Sequence, residues 1–268
     1  MDSDTGALTP LVRMLLSGMA GAALGSFANV CIHRIPRGES VVFPGSHCPG
    51  CRTPIPWYRN LPLISFALLR GRCARCRRRI SWQYPLVEAL TALLFALLAS
   101  RPGESIFFFG MGAVFTLVLV IVSGIDYHLK IIPDVFSLGL LGAGLVLLPL
   151  NPLLGDGLAI RVLHGFGGAV AGFGLMWAMG FIGAKAFGKE ALGDGDVKLM
   201  AGVGSLVGAS GVLASVFTAS LLGTVLFLVL KALRRMTWGT YLPFGPFLAA
   251  GAWLYWVYPG VWDRWWAF

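Results

Sequence analysis

The sequence predicts an all-helical polytopic membrane protein, and three observations carry that reading. Of its 268 residues, 57% are hydrophobic and only 12% charged, where soluble domains carry about 25% charged residues. Mean hydropathy is +0.77, and apolar runs near the ~20 residues that cross a bilayer recur along the chain. The formal net charge of +9 sits in one hydrophilic stretch: between Arg34 and Tyr84 stand ten arginines against one acid, Glu39, so the remainder sums to zero.

The first ten residues are polar, with Asp2 and Asp4. An apolar segment follows at 11–33. A cleaved signal peptide needs a basic leading region, and only Arg13 is there. Cleavage would also send the arginine-rich loop across the membrane. The expectation is a retained span with its N-terminus outside, which makes the loop cytoplasmic by the positive-inside rule. The chain then divides into a first transmembrane helix (1–33), a basic cytoplasmic domain (34–84) and a transmembrane core (85–268). Further spans at 86–100, 106–124, 135–150, 162–183, 197–208, 212–230 and 242–258 bring the total to about eight. Segments 135–150 and 197–208 fall short of a full crossing, and Pro133, Pro149 and Pro152 blur the boundaries.

Alternation places 125–134, 184–196 and 231–241 on the cytoplasmic side as well. Lys130, Lys185, Lys189, Lys231, Arg234 and Arg235 fall there, while the outer connections 101–105 and 151–161 carry only Arg101 and Arg161. Trp262, Trp265 and Trp266 read as an aromatic belt at the outer interface. Gly165, Gly167, Gly168, Gly172 and Gly174 crowd one segment, the pattern of close helix packing.

Four of the five cysteines lie in the basic loop, as Cys48-Pro-Gly-Cys51 and Cys73-Ala-Arg-Cys76 separated by 21 residues. In a reducing compartment two C-x-x-C units favour a metal over disulfides. Four thiolates in two tight turns suit tetrahedral zinc, although the separation is slightly wider than in most ribbons. His47 is surplus to a four-sulfur site, and Cys31, inside the first span, reads as a packing residue. The surrounding arginines read as a solvated face toward anionic lipid. Nothing else in the chain calls for nucleic acid, despite Trp57, Tyr58, Trp82 and Tyr84 being available for stacking.

Two polar breaks interrupt the apolar core: I-D-Y-H-L-K-I-I-P-D at 125–134 and A-L-G-D-G-D-V-K-L-M at 191–200. Ionisable residues at or within a membrane are costly and point to function. Asp126 and Asp196 are the candidate catalytic pair. Two carboxyls close together share a proton, so one can take a proton from water while the other polarises a carbonyl. Asp196 and Asp134 each precede an apolar run and also read as helix caps. Capping does not explain Asp126, which follows one. A proton-coupled transporter also uses intramembrane carboxylates, but its sites lie near mid-bilayer between repeats, and no repeat is visible. A zinc-bearing adaptor without catalysis is the third reading.

G-D-G-D-V-K-L resembles the G-x-G-D-x-K-L motif of the type IV prepilin peptidases, within the wider G-x-G-D class of intramembrane aspartyl proteases. I-D-Y-H-L-K-I-I-P-D resembles the first aspartate motif of that family, and Y-L-P-F-G-P-F-L at 241–248 a late one. The stretch from G-S-F-A-N-V-C-I-H-R-I-P, through both cysteine pairs, to W-Q-Y-P-L-V-E-A-L is similar to the family's bacterial N-terminal domain. The resemblance implies an inner-membrane enzyme, with its active site on the cytoplasmic side, that removes the short basic leader of type IV prepilins and type II secretion pseudopilins. It assigns catalysis to Asp126 and Asp196. It also implies methylation of the new N-terminus with S-adenosylmethionine, for which Gly71, Glu88 and Asn29 match family positions. The loop itself is too short for a doubly wound methyltransferase domain and has no G-x-G-x-x-G fingerprint. For Glu88 the competing expectation is an ion pair with an arginine.

Overall fold

A computed structural model describes residues 9–101, 105–188, 192–236 and 242–266. The expected connection 101–105, Lys189, Ala191 of the second polar break, Tyr241 of the late motif, and the side chains of Trp265 and Trp266 lie wholly or partly outside that description. The described residues form helices and turns without a strand. Among the described residues four helices are long and apolar enough to cross a membrane: Pro10–Arg37, Ile106–Leu129, Leu158–Ala186 and Asp194–Ala232. The helices Gln83–Ala99 and Asp134–Val146 are apolar but shorter. The chain is thus a helical membrane protein, and it divides into two compact units, Met1–Ile121 and Val122–Phe268.

In the first unit, α1 (Pro10–Arg34) starts at Thr9, whose hydroxyl accepts the Val12 amide, and Pro10 needs no partner in the first turn. It packs along α3 (Gln83–Ala99). The contact is backbone-close because Gly21 and Gly25 form a G-x-x-x-G stripe. A Cβ at Gly21 would lie 2.7 Å from the Thr91 carbonyl oxygen, and one at Gly25 2.8 Å from Glu88 Cα. Between these helices the chain makes the cysteine-bearing turns and a short helix, α2 (Ile64–Leu68).

In the second unit the last turns of α4 (Ile106–Leu129) lead into α5 (Asp134–Val146), α6 (Leu158–Phe187), α7 (Asp194–Ala232), α8 (Gly245–Val257) and α9 (Pro259–Trp266). The central element is α7, which packs against α5, α6 and α8. The segments expected at 197–208 and 212–230 are its two arms. No loop separates them; instead Gly208 adopts φ 72°, ψ 179°, a conformation open to glycine, and kinks the rod. The arm beyond the kink rises about 36 Å and the arm before it about 21 Å at 1.5 Å per residue, so only the later arm matches a bilayer core of about 30 Å.

Three glycines of α6 explain the tight α6–α7 contact. Gly165, Gly168 and Gly172 recur at helical spacing. A Cβ on Gly168 would collide with the Gly204 carbonyl and one on Gly172 with the Met200 carbonyl. Gly167 and Gly174 point into open space. The packing reading therefore holds for one face of the helix only. Gly168→Val is expected to force the backbones apart, at about 1–3 kcal/mol or more for overpacking, and to lower the melting temperature in detergent. Gly167→Ala, with nothing in its way, is expected to leave it nearly unchanged.

Candidate active site and metal centre

Asp126 lies in the last helical turn of α4, not in a loop beyond it. The polar break stays helical as far as Leu129, where the Lys130 amide closes on the Asp126 carbonyl at 2.9 Å and Lys130 turns to φ 56°. The Asp126 side chain is only 6% exposed. Its Oδ2 accepts the Gly245 amide from the tip of α8 at 2.9 Å.

Asp196 sits in the first turn of α7, whose N-cap is Gly193. It stands within electrostatic reach of Asp126 and directs its carboxylate back toward the Gly193 amide, as the acid of a capping box does. That occupies one oxygen. The other, Oδ1, is buried and has no hydrogen-bond partner among the described residues. Capping and a chemical role are therefore compatible in this residue, one per oxygen. The structure brings Asp126, Asp196 and the start of α8 together; the sequence marked Gly245 only as part of the late motif at 241–248, with no role.

Asp134 does not cap α5. Pro133 occupies the N-cap position without a side-chain hydrogen bond, and Asp134 instead accepts Lys198 Nζ on both oxygens, at 2.8 and 2.9 Å. This pair ties the start of α5 to the start of α7 beside Asp196. Gly195 adds to the join, since a Cβ there would lie 2.9 Å from Ile132 Cβ. Asp194 is exposed.

The two cysteine turns share one backbone design. The Cys48 amide donates to the Thr53 carbonyl and the Arg52 amide to Cys48; the Cys73 amide donates to Arg78 and the Arg77 amide to Cys73. Arg52 and Arg77, each following the second cysteine of its pair, take φ 54° and 58°. The four sulfurs all lie within 4.8 Å of one another, and Cys48 Sγ stands 3.8 Å from Cys76 Sγ. A tetrahedral site with metal–sulfur bonds of about 2.3 Å needs sulfurs about 3.8 Å apart, so spacing and donor chemistry both fit. The Thr53 hydroxyl and amide hold the Cys51 thiol down to about 6. Cys76 accepts the Arg78 amide, yet desolvation and its three neighbouring sulfurs push it up to about 11. Four clustered thiols resist ionising together unless a cation joins them. His47 turns its Nδ1 to the Gly45 carbonyl at 3.0 Å, outside the sulfur set. Cys31 is buried in α1, as a packing residue.

Of the three methyl-donor candidates, Asn29 stands on α1, Glu88 on α3 and Gly71 just past α2. Glu88 is buried and accepts the Leu63 amide at 2.8 Å, with the Ser26 hydroxyl also in reach. Its partners are an amide and a hydroxyl, not the expected arginine, and they hold the start of α2. Gly71 closes the other end of α2 at φ 64°, its amide bonded to the Phe66 carbonyl. Asn29 donates to the Gly25 and Tyr84 carbonyls, and its Oδ1 is buried with no partner among the described residues. A cavity of about 320 Å³ opens beside α1, lined in part by Ser26, Phe27, Arg34, Ser46 and Asn60.

Comparison with known proteins defines the class. Residues 19–101 match the bacterial peptidase A24 N-terminal domain, and residues 113–228 match the type IV leader peptidase family. The chain belongs to the type IV leader peptidase family. Among its relatives, the prepilin leader peptidase/N-methyltransferase of Neisseria gonorrhoeae is 34% identical over 94% of this chain and 92% of its own length. The protein of the same name from Pseudomonas aeruginosa is 33% identical over 91% and 90%. The type 4 prepilin-like proteins leader peptide-processing enzyme of Escherichia coli is 36% identical over 90% and 93%. No solved structure gives a significant match.

Glu88→Ala removes the acceptor of the Leu63 amide and is expected to cost about 1–2 kcal/mol, with faster proteolytic cutting around α2. Glu88→Gln keeps an acceptor oxygen and is expected to resist cutting nearly as well as the parent. Equal cutting of the parent and the alanine variant would show that Glu88 does not anchor the loop.

Proposed function

We propose that this membrane protein is an aspartic endopeptidase that removes the short basic leader of type IV prepilins and type II secretion pseudopilins, with Asp126 and Asp196 as its catalytic pair. The family supports the peptidase reading over a transporter or a non-catalytic adaptor. The observation that carries the assignment is the pairing of a buried carboxylate on α4 with a second on α7 whose Oδ1 is unengaged among the described residues.

In the proposed step one carboxylate takes a proton from water as the water oxygen bonds to the scissile carbonyl carbon. The other, protonated, gives its proton to the carbonyl oxygen. The C–N bond then breaks, the leaving amine takes the proton abstracted from water, and the second acid recovers its own. The products are a leader with a new carboxyl terminus and a mature chain with a free N-terminal amine. Holding both acids at helix ends lets water reach them while the substrate's apolar segment stays in the bilayer.

The proposed setting is the inner membrane, with the N-terminus outside and the pair on the cytoplasmic face, where basic leaders remain. Eight crossings follow if α1, α3, α4, α5, α6, both arms of α7 and α8 each count as one. The proposed division is a first helix to residue 33, a metal-bearing loop domain at 34–84 and a peptidase core from 85. Zinc on Cys48, Cys51, Cys73 and Cys76 would lock the two turns together as a structural ion. The relatives' names also carry N-methyltransferase, and methylation of the new amine with S-adenosylmethionine is proposed for this chain on that ground.

Purified protein in detergent, mixed with a prepilin, is expected to release the leader. Asp126→Asn and Asp196→Asn are each expected to slow release by about 10²–10⁴-fold; full activity in either variant rejects the pair. Elemental analysis is expected to find about one zinc per chain, falling below about half an equivalent in Cys48→Ser or Cys73→Ser, because structural zinc sites of this kind are four-coordinate. Less than half an equivalent in the parent rejects the metal site.

A further inference from the structure

The late motif around residues 242–248 has no part in the reaction as described so far. In the fold it starts α8, and its Gly245 meets Asp126. Gly245 supplies an N–H from the first turn of α8, directed at Asp126 Oδ2 across 119 residues of sequence at 2.9 Å, in a buried setting. The next residue, Pro246, has no N–H to offer. The fit leaves no room for a side chain: a Cβ at Gly245 would lie 2.7 Å from Asp126 Oδ2 and 3.1 Å from its Cγ. The amino end of a helix carries a partial positive charge that favours an anion, and an aimed backbone N–H adds a directional bond to it.

The two acids are therefore not equivalent. Besides the α8 amide, the charged groups facing Asp126 among the described residues are Lys130, just past the end of α4, and Asp196 from α7. Asp196 has the weaker support for a negative charge: one oxygen turns to the Gly193 amide and the other finds no donor among the described residues.

We propose that Gly245 is a positioning residue that holds Asp126 as the carboxylate of the pair, so that Asp196 enters the reaction carrying the proton. The inference rests on the two aspartates being the catalytic pair. Asp126 then receives the proton of the attacking water, and Asp196 donates through Oδ1 to the scissile carbonyl oxygen. Gly245 acts through Asp126 without touching the substrate. The chain uses a glycine there because any larger residue would push the carboxylate away from the amide that steadies it.

The test uses the full chain in detergent with a synthetic prepilin. Gly245→Ala is expected to lower kcat on the order of 10-fold or more, as loss of one preorganised donor does, with KM nearly unchanged. The acid limb of the kcat–pH profile is expected to move to higher pH while the alkaline limb stays in place. Gly174→Ala, whose Cβ would meet open space, is the control and is expected to behave as the parent. A parental kcat for Gly245→Ala, or a fall in rate with both limbs unmoved, overturns the proposal.

Infrared difference spectra provide a second reading should Gly245→Ala fail to fold. The band of the protonated carboxyl seen in the parent is expected to vanish in Asp196→Asn, where Asp126 stays ionised against the Gly245 amide. A band that survives in Asp196→Asn overturns the assignment while leaving the pair intact. Full cleavage by either Asn variant would instead remove the pair itself, so the two failures are distinguishable.

Discussion

Backbone-to-backbone approach along α7 is the constraint on which the second unit depends. This helix meets α5, α6 and α8, and at each contact a glycine lets the carbonyl of one helix touch the chain of the next. Gly202 rests on the Ser137 carbonyl, Gly204 faces Gly168, and Gly251 lies against the Ser215 carbonyl. Lipid tails are as apolar as leucine, so hydrophobicity alone does not hold such helices together; close packing and polar contacts do. Fixing α7 on three sides fixes the place of Asp196 at its start. The Asp134–Lys198 pair is exposed enough to contribute only up to about 1 kcal/mol. It sets direction more than stability, joining the start of α5 to the start of α7.

The same economy governs the cysteine turns. Two short loops of matched hydrogen bonding bring four sulfurs to tetrahedral spacing, and the loop between them is held by Glu88 at one end of α2 and Gly71 at the other. Two residues that match family positions thus touch the loop between the cysteine turns in this structure.

Much of this was legible in the residues themselves. Sparse charge and repeated apolar runs indicated a helical membrane protein, the C-x-x-C spacing indicated a four-sulfur cluster, and the acids embedded in apolar sequence drew attention to Asp126 and Asp196. What escaped were features set by partners distant in sequence. The kink at Gly208 looked like a short loop because a break in periodicity does not distinguish a bend from a turn. Asp134 looked like a cap because Lys198, its partner, is 64 residues away. The Gly245 amide left no signature, since a backbone N–H is present at nearly every position and only the fold aims one at a carboxylate. The Gly21–Gly25 stripe passed unremarked in the sequence, and its contact partner on α3 is set by the fold.

Whether Asp126 and Asp196 act as one unit is decided most directly by combining their substitutions. Groups that share a single step are non-additive: once one is removed, losing the other costs little more. Single-turnover leader release by the Asp126→Asn/Asp196→Asn double variant should therefore be no slower, within about threefold, than by the slower single variant. Rate losses that multiply across the two sites would mean that the acids work independently, and would contradict a shared-proton pair.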